Sequence, residues 1–135
     1  MPAVSHHRHP VHADGAPAAI GAYSHAVASS GLLFCSGQIP LDPATGELVE
    51  GGAGEQTRRC LDNLAAVCVA GGTTLADAVR VTVYAEDLAG DWAEINDAYS
   101  AYFGESGAPA RAAVGVAALP RGARVEIDAV VALPD

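Results

Sequence analysis

The sequence predicts an α+β fold, a mixed sheet with two helices on one face, and three observations predict it. Two segments, 55–70 and 91–103, repeat apolar residues at helical spacing. Strand-like runs surround them in the order ββ, helix, β, helix, ββ. The chain has 135 residues, enough for one hydrophobic core and too few for two.

Residues 1–14, MPAVSHHRHPVHAD, hold four of the five histidines and few apolar side chains, which predicts a flexible arm ahead of a single domain over 15–135. The spacing of His6, His7, His9 and His12 matches neither H-E-x-x-H nor a zinc finger, so a solvated terminus is expected there and no metal. Over 22–38 two short β-type runs are parted by Ser29-Ser30-Gly31, the pattern of a hairpin. Asp42-Pro43, Thr45-Gly46 and Gly51-Gly52 crowd 41–54 with turn formers and make it a loop.

Leu61, Leu64, Ala65 and Cys68 then fall at i, i+3, i+4 and i+7, with Gly71-Gly72 as the stop, giving a helix over 55–70. The alternating VRVTVYA at 79–85 is a strand, preceded by a helical turn at 75–78. Asp91 is read as the cap of a second helix, with Trp92, Ile95, Tyr99, Tyr102 and Phe103 as its apolar face and Gly104 as its end. Two more strands, 110–119 and 123–133, are joined through Pro120-Arg121-Gly122. In the last, Val125, Ile127, Ala129, Val131 and Leu133 take one face while Arg124, Glu126 and Asp128 take the other.

Charge narrows the function. Sixteen acidic residues oppose seven arginines, a net charge of −9, and no basic run exceeds Arg58-Arg59, which argues against nucleic acid and acidic membrane surfaces as partners. The chain has no lysine at all, so neither Schiff-base catalysis nor a P-loop lysine is available to it. Cys35, Cys60 and Cys68 show no C-x-x-C spacing, and no secretory leader is evident in the first 14 residues, which together predict free thiols and a cytoplasmic protein. No apolar run approaches the ~20 residues of a membrane span.

Arg111 stands alone in an alanine-rich strand, and Glu126 with Asp128 interrupts an otherwise apolar one. One explanation is a wet sheet face, common in antiparallel sheets. The other is that Arg111 awaits a carboxylate, which its planar fork suits better than an ammonium. Asn96 lies near the apolar stripe of its helix, where its amide must find partners. Ser24-His25 is no nucleophile–base dyad, because adjacent strand residues point to opposite faces.

The segments APAAIGAYSHAV at 16–27, LLFCSGQIPLDPATGEL at 32–48, DWAEINDAYSAYF at 91–103 and PARAAVGVAALPRGARVEIDAVV at 109–131 resemble the RidA family, also called YjgF/YER057c/UK114. The likeness spans 16–133. It implies a chorismate-mutase-like subunit, a homotrimer with ligand clefts between subunits, and a cytoplasmic role in metabolite damage control. The implied activity is hydrolysis of 2-iminobutanoate- and 2-iminopropanoate-type imines or enamines to 2-oxo acids and ammonia, with no metal or organic cofactor.

Position by position, the resemblance makes Arg111 the substrate-carboxylate clamp and Glu126 the acid that activates water, with Tyr23, Gly37 and Asn96 as further cleft positions. Ala113 is also a cleft position and departs from the family, since many deaminase members carry cysteine there. That departure keeps open a related small-molecule hydrolase of a divergent branch. A third reading is non-enzymatic, RNA-directed or chaperone-like, because translation inhibition and ribonuclease activity are attributed to some relatives; the charge of −9 argues against RNA.

Overall fold

The structure is a computed structural model that describes residues 7–104 and 107–135. Its elements run β1 (His9–Val11), β2 (Ala26–Ser29), β3 (Leu32–Gln38), α1 (Ala53–Ala70), β4 (Ala78–Ala85), α2 (Leu88–Phe103), β5 (Ala110–Gly115) and β6 (Val125–Ala132), with 3-10 turns at Leu75–Asp77 and Pro120–Gly122. The six strands form one mixed sheet in the order β1-β2-β3-β6-β4-β5. Only β4 and β5 pair in parallel, and α2 supplies the crossover such a pair requires. The expected α+β architecture is borne out.

Alternation builds the two sides of the sheet. In β6, Val125, Ile127, Ala129 and Val131 are buried while Glu126, Asp128, Val130 and Ala132 are not. The buried set meets Leu33 of β3, Val81 and Val83 of β4, Leu61, Leu64 and Val67 of α1 and Ile95 of α2 in a single core. Burying each such Leu or Ile fully is worth ~1.5–3 kcal/mol, so this layer between sheet and helices carries the fold. Among the described residues neither helix packs on the opposite face, which bears the exposed Phe34 and Val114.

Three expectations are corrected. The second helix starts at Leu88, three residues before Asp91, because Asp87 is the cap and its carboxylate accepts from the Gly90 N–H at 3.1 Å. Asp91 instead lies buried in the first turn, where Arg124 Nε and Nη2 donate to its two oxygens at 3.2 Å each. The strand expected over 110–119 stops at Gly115, where its parallel partner β4 ends at Ala85. The arm is not loose along its whole length. His9, Pro10 and Val11 pair with Ala28, Val27 and Ala26, and Ala13 is buried. Residues 1–6 of the expected arm lie outside the described residues.

His25 ties this segment down. Its Nδ1 accepts from the Ala13 N–H at 2.9 Å and its Nε2 lies 2.8 Å from the Pro17 carbonyl, the arrangement in which the ring proton sits on Nε2 and donates to Pro17. A buried histidine with both nitrogens so occupied is a brace, in keeping with the rejection of a Ser24-His25 dyad.

Candidate functional site

Arg111 enters from β5. Its register partner is Val81, a core residue, so Arg111 leaves the sheet on the helix-facing side, at the edge where α2 lies. There Nη1 donates to Asn96 Oδ1 at 2.9 Å, and the guanidinium carbon stands 4.9 Å from the Trp92 ring centroid and 4.7 Å from that of Tyr99. The sequence places these three partners on one helical stripe, since Trp92 and Tyr99 lie four residues before and three after Asn96. Two aromatic faces and an amide hold the fork in a defined plane while the residue stays exposed, and Nη1–Asn96 is its one side-chain hydrogen bond among the described residues. The Tyr99 hydroxyl is buried without a hydrogen-bond partner among them.

Ala113 follows on the same edge, paired with Val83, and shares Arg111's face. A methyl group occupies that place, exposed.

Glu126 lies elsewhere. Its register partner is Tyr84, so it projects from the face of the sheet that carries no helices, beside Asp128, whose Oδ2 accepts from the Tyr84 hydroxyl at 3.0 Å. Burial, and after it the Asp128 charge, raises the Glu126 carboxyl above its ordinary value. Tyr84 is pushed up as well, by burial first and then by its bond to Asp128.

Gly37 explains how Glu126 is seated. Between Cys35 and Gln38, β3 advances three residues while β6 advances two from Ala129 to Ile127, a bulge that brings the Gly37 backbone under the carboxylate. A Cβ on Gly37 would overlap Glu126 Oε2 and come within 2.9 Å of Cδ, so the glycine is what leaves room. Gly37 also joins Tyr23, Pro17, Ile20, Ile39 and Arg121 in the wall of a cavity of about 270 Å³. Its size is close to the lower end of small-molecule sites, ~300 Å³.

The structure thus gathers the expected residues into two groups. Arg111 and Asn96 touch one another, with Ala113 on the same strand edge, and Glu126, Gly37 and Tyr23 cluster around the bulge. Within one chain the groups occupy opposite faces of the sheet. Sequence reasoning missed Trp92 and Tyr99 as walls for Arg111 and Arg121 as a cavity residue; only the aromatic spacing around Asn96 carried a signal. Among the described residues no three His, Cys, Asp or Glu side chains are grouped to hold a metal ion, and no helix is long and apolar enough to cross a membrane.

The sequence pattern of the family described as Endoribonuclease L-PSP matches residues 13–133. The chain belongs to the RidA family. Among RidA-family relatives it is 49% identical over 124 residues to the RutC family protein y4sK of Sinorhizobium fredii, covering 92% of this chain and 97% of that protein. It is 46% identical over 115 residues to a Bos taurus protein named 2-iminobutanoate/2-iminopropanoate deaminase, covering 85% and 82%. The solved RidA of an Antarctic Psychrobacter superposes with a TM-score of 0.86 at 42% identity over 93% of this chain and 99% of that one. The expected family and fold are borne out together.

Proposed function

We propose that this RidA-family protein hydrolyses small 2-imino acids, or their enamine tautomers, to 2-oxo acids and ammonia, at clefts between copies of the chain in a cytoplasmic homotrimer. The observation that carries the reading is the split site. A carboxylate clamp braced by two aromatic rings and a half-buried acid of raised pKa belong to the same reaction, yet face opposite sides of one sheet. A neighbouring copy unites them and at the same time covers the bare face bearing Phe34 and Val114. The name of the bovine relative supports the substrate class.

In this reading Arg111 grips the substrate carboxylate with the donors that Asn96 leaves free, while Trp92 and Tyr99 keep the fork from swinging. The protonated imine carbon is already electrophilic. Glu126 takes a proton from water as its oxygen bonds to that carbon, then returns the proton to nitrogen. It accepts the hydroxyl proton as the C–N bond breaks, and the departing ammonia carries that proton off as ammonium. Tyr23 and the Gly37 backbone border the space for the substrate's remainder.

A second reading, a related hydrolase acting on another carboxylated imine, enamine or carbamate, is favoured by Ala113, which puts a methyl group where many deaminase members have a thiol. The test is to couple a threonine dehydratase to the purified protein and follow 2-oxobutanoate release against spontaneous imine hydrolysis. Acceleration by the wild type that falls ~10²–10⁴-fold in Glu126→Gln is expected, the range of general acid–base roles. Wild-type rates in a folded Glu126→Gln variant would place water activation elsewhere.

A further inference from the structure

The cavity beside Gly37 holds a cation that the reaction above does not use. Its walls are apolar at Pro17, Ile20, Ile39 and Leu41, and the charged side chain among them is Arg121. The guanidinium of Arg121 lies within 4.0 Å of no carboxylate among the described residues, unlike Arg58 beside Glu55 and Arg124 beside Asp91. Its Nη1 reaches only the Gly46 carbonyl, at 3.4 Å.

The backbone that presents Arg121 is also unusual. Its φ of 61° lies in the left-handed region that side chains with a Cβ rarely enter, and Gly122 follows at φ 73°. The 3-10 turn Pro120–Gly122 thus brings Pro120 and Arg121 into the wall of the cavity that Ile20 and Tyr23 also line. An arginine with spare donors among apolar walls meets the needs of an anion on a short apolar stem.

We propose that Arg121 is a specificity-determining residue, and that the protein prefers 2-imino acids whose side chain ends in a second carboxylate. This rests on the imine-hydrolase reading. Arg111 takes the α-carboxylate and Glu126 attends the imine carbon, so the side chain enters past Gly37 toward Arg121. A four- or five-carbon dicarboxylic imine then meets a cation at each end, whereas a 2-iminobutanoate side chain leaves Arg121 without an anion.

The test compares 2-oxoglutarate with 2-oxobutanoate as product ligands by titration calorimetry. In parallel, kcat/KM is measured for the imines that an amino-acid oxidase makes from glutamate and from 2-aminobutanoate. Wild type is expected to favour the dicarboxylic member in both measurements by roughly tenfold or more, the weight of one charge-assisted hydrogen bond. In Arg121→Asn, which tolerates the left-handed backbone, the ratio should fall toward one. Equal binding and equal rates for the two ligands in wild type, or an unchanged ratio in Arg121→Asn, would overturn the inference and leave the proposed function standing. Failure to hydrolyse either imine would remove the proposed function and this inference together.

Discussion

Arg111 and Glu126 leave the same sheet on opposite faces, one in register with the core residue Val81 and the other with Tyr84. Arg111 is fixed in plane by Asn96 and two rings, so its geometry matters beyond its charge. Arg111→Lys is expected to weaken 2-oxo-acid binding and to lower turnover ~10²-fold, because a misplacement of about 1 Å costs that much. Rates and affinities measured at matched oligomer content decide it, and unchanged values in both would remove the carboxylate clamp.

The acid limb of the pH–rate profile follows Glu126, whose raised pKa comes first from burial and then from the Asp128 charge. As a base Glu126 works ionised, so activity should fall as pH drops through a value above the ordinary 4.5. Asp128→Asn removes the second cause and should move that limb to lower pH, while its amide oxygen can still accept from Tyr84. Stability takes the opposite sign. A carboxyl raised by folding contributes stability fully below its unfolded pKa and loses it as pH rises through the folded one. Glu126→Gln should therefore melt higher than wild type at neutral pH, with the difference vanishing below 4.5.

Arg124, the residue before β6, and Asp91 tie the start of that strand to the first turn of α2. The Asp91 side chain is only 7% exposed, whereas that of Arg124 is 49% exposed. Arg124→Ala strands the carboxylate and should cost ~1–3 kcal/mol by chemical denaturation, the penalty for an unmet buried group. Arg124→Lys should recover only part of this, since the fork is lost. A variant as stable as wild type would show that the pair is neutral.

How far the sequence spoke depends on the kind of signal. Alternation in 125–132 and the Leu61/Leu64/Cys68 spacing predicted β6 and α1 because burial selects those periods directly. Asp91 misled because an acid at the start of an apolar stripe reads as a cap, while Asp87 and Arg124 reveal their roles only in three dimensions. β1 was hidden for a related reason: its three residues gain their order from pairing with β2 and from the His25 brace. The site residues were named through family resemblance, whereas their division between two faces follows from register, which no local pattern encodes.

The brace carries its own prediction. Deleting residues 1–12 removes β1 and leaves the edge of β2 unpaired, so the melting temperature should fall. Deleting 1–6 keeps every one of those pairs and should not lower it comparably. Equal melting of both truncations and the full chain, by calorimetry, would return the segment to the status of a loose arm.

The split site itself is tested most directly by mixing two dead variants. Arg111→Lys and Glu126→Gln chains are unfolded together, refolded as mixed oligomers and assayed for 2-oxobutanoate release in the threonine dehydratase coupling. Each variant alone is expected to be nearly inactive. In a 1:1 mixture about one cleft in four should receive its arginine and its glutamate from unmodified positions on different copies, and activity should rise to roughly a quarter of wild type. A mixture no more active than the variants refolded separately would contradict the claim that neighbouring copies unite Arg111 and Glu126.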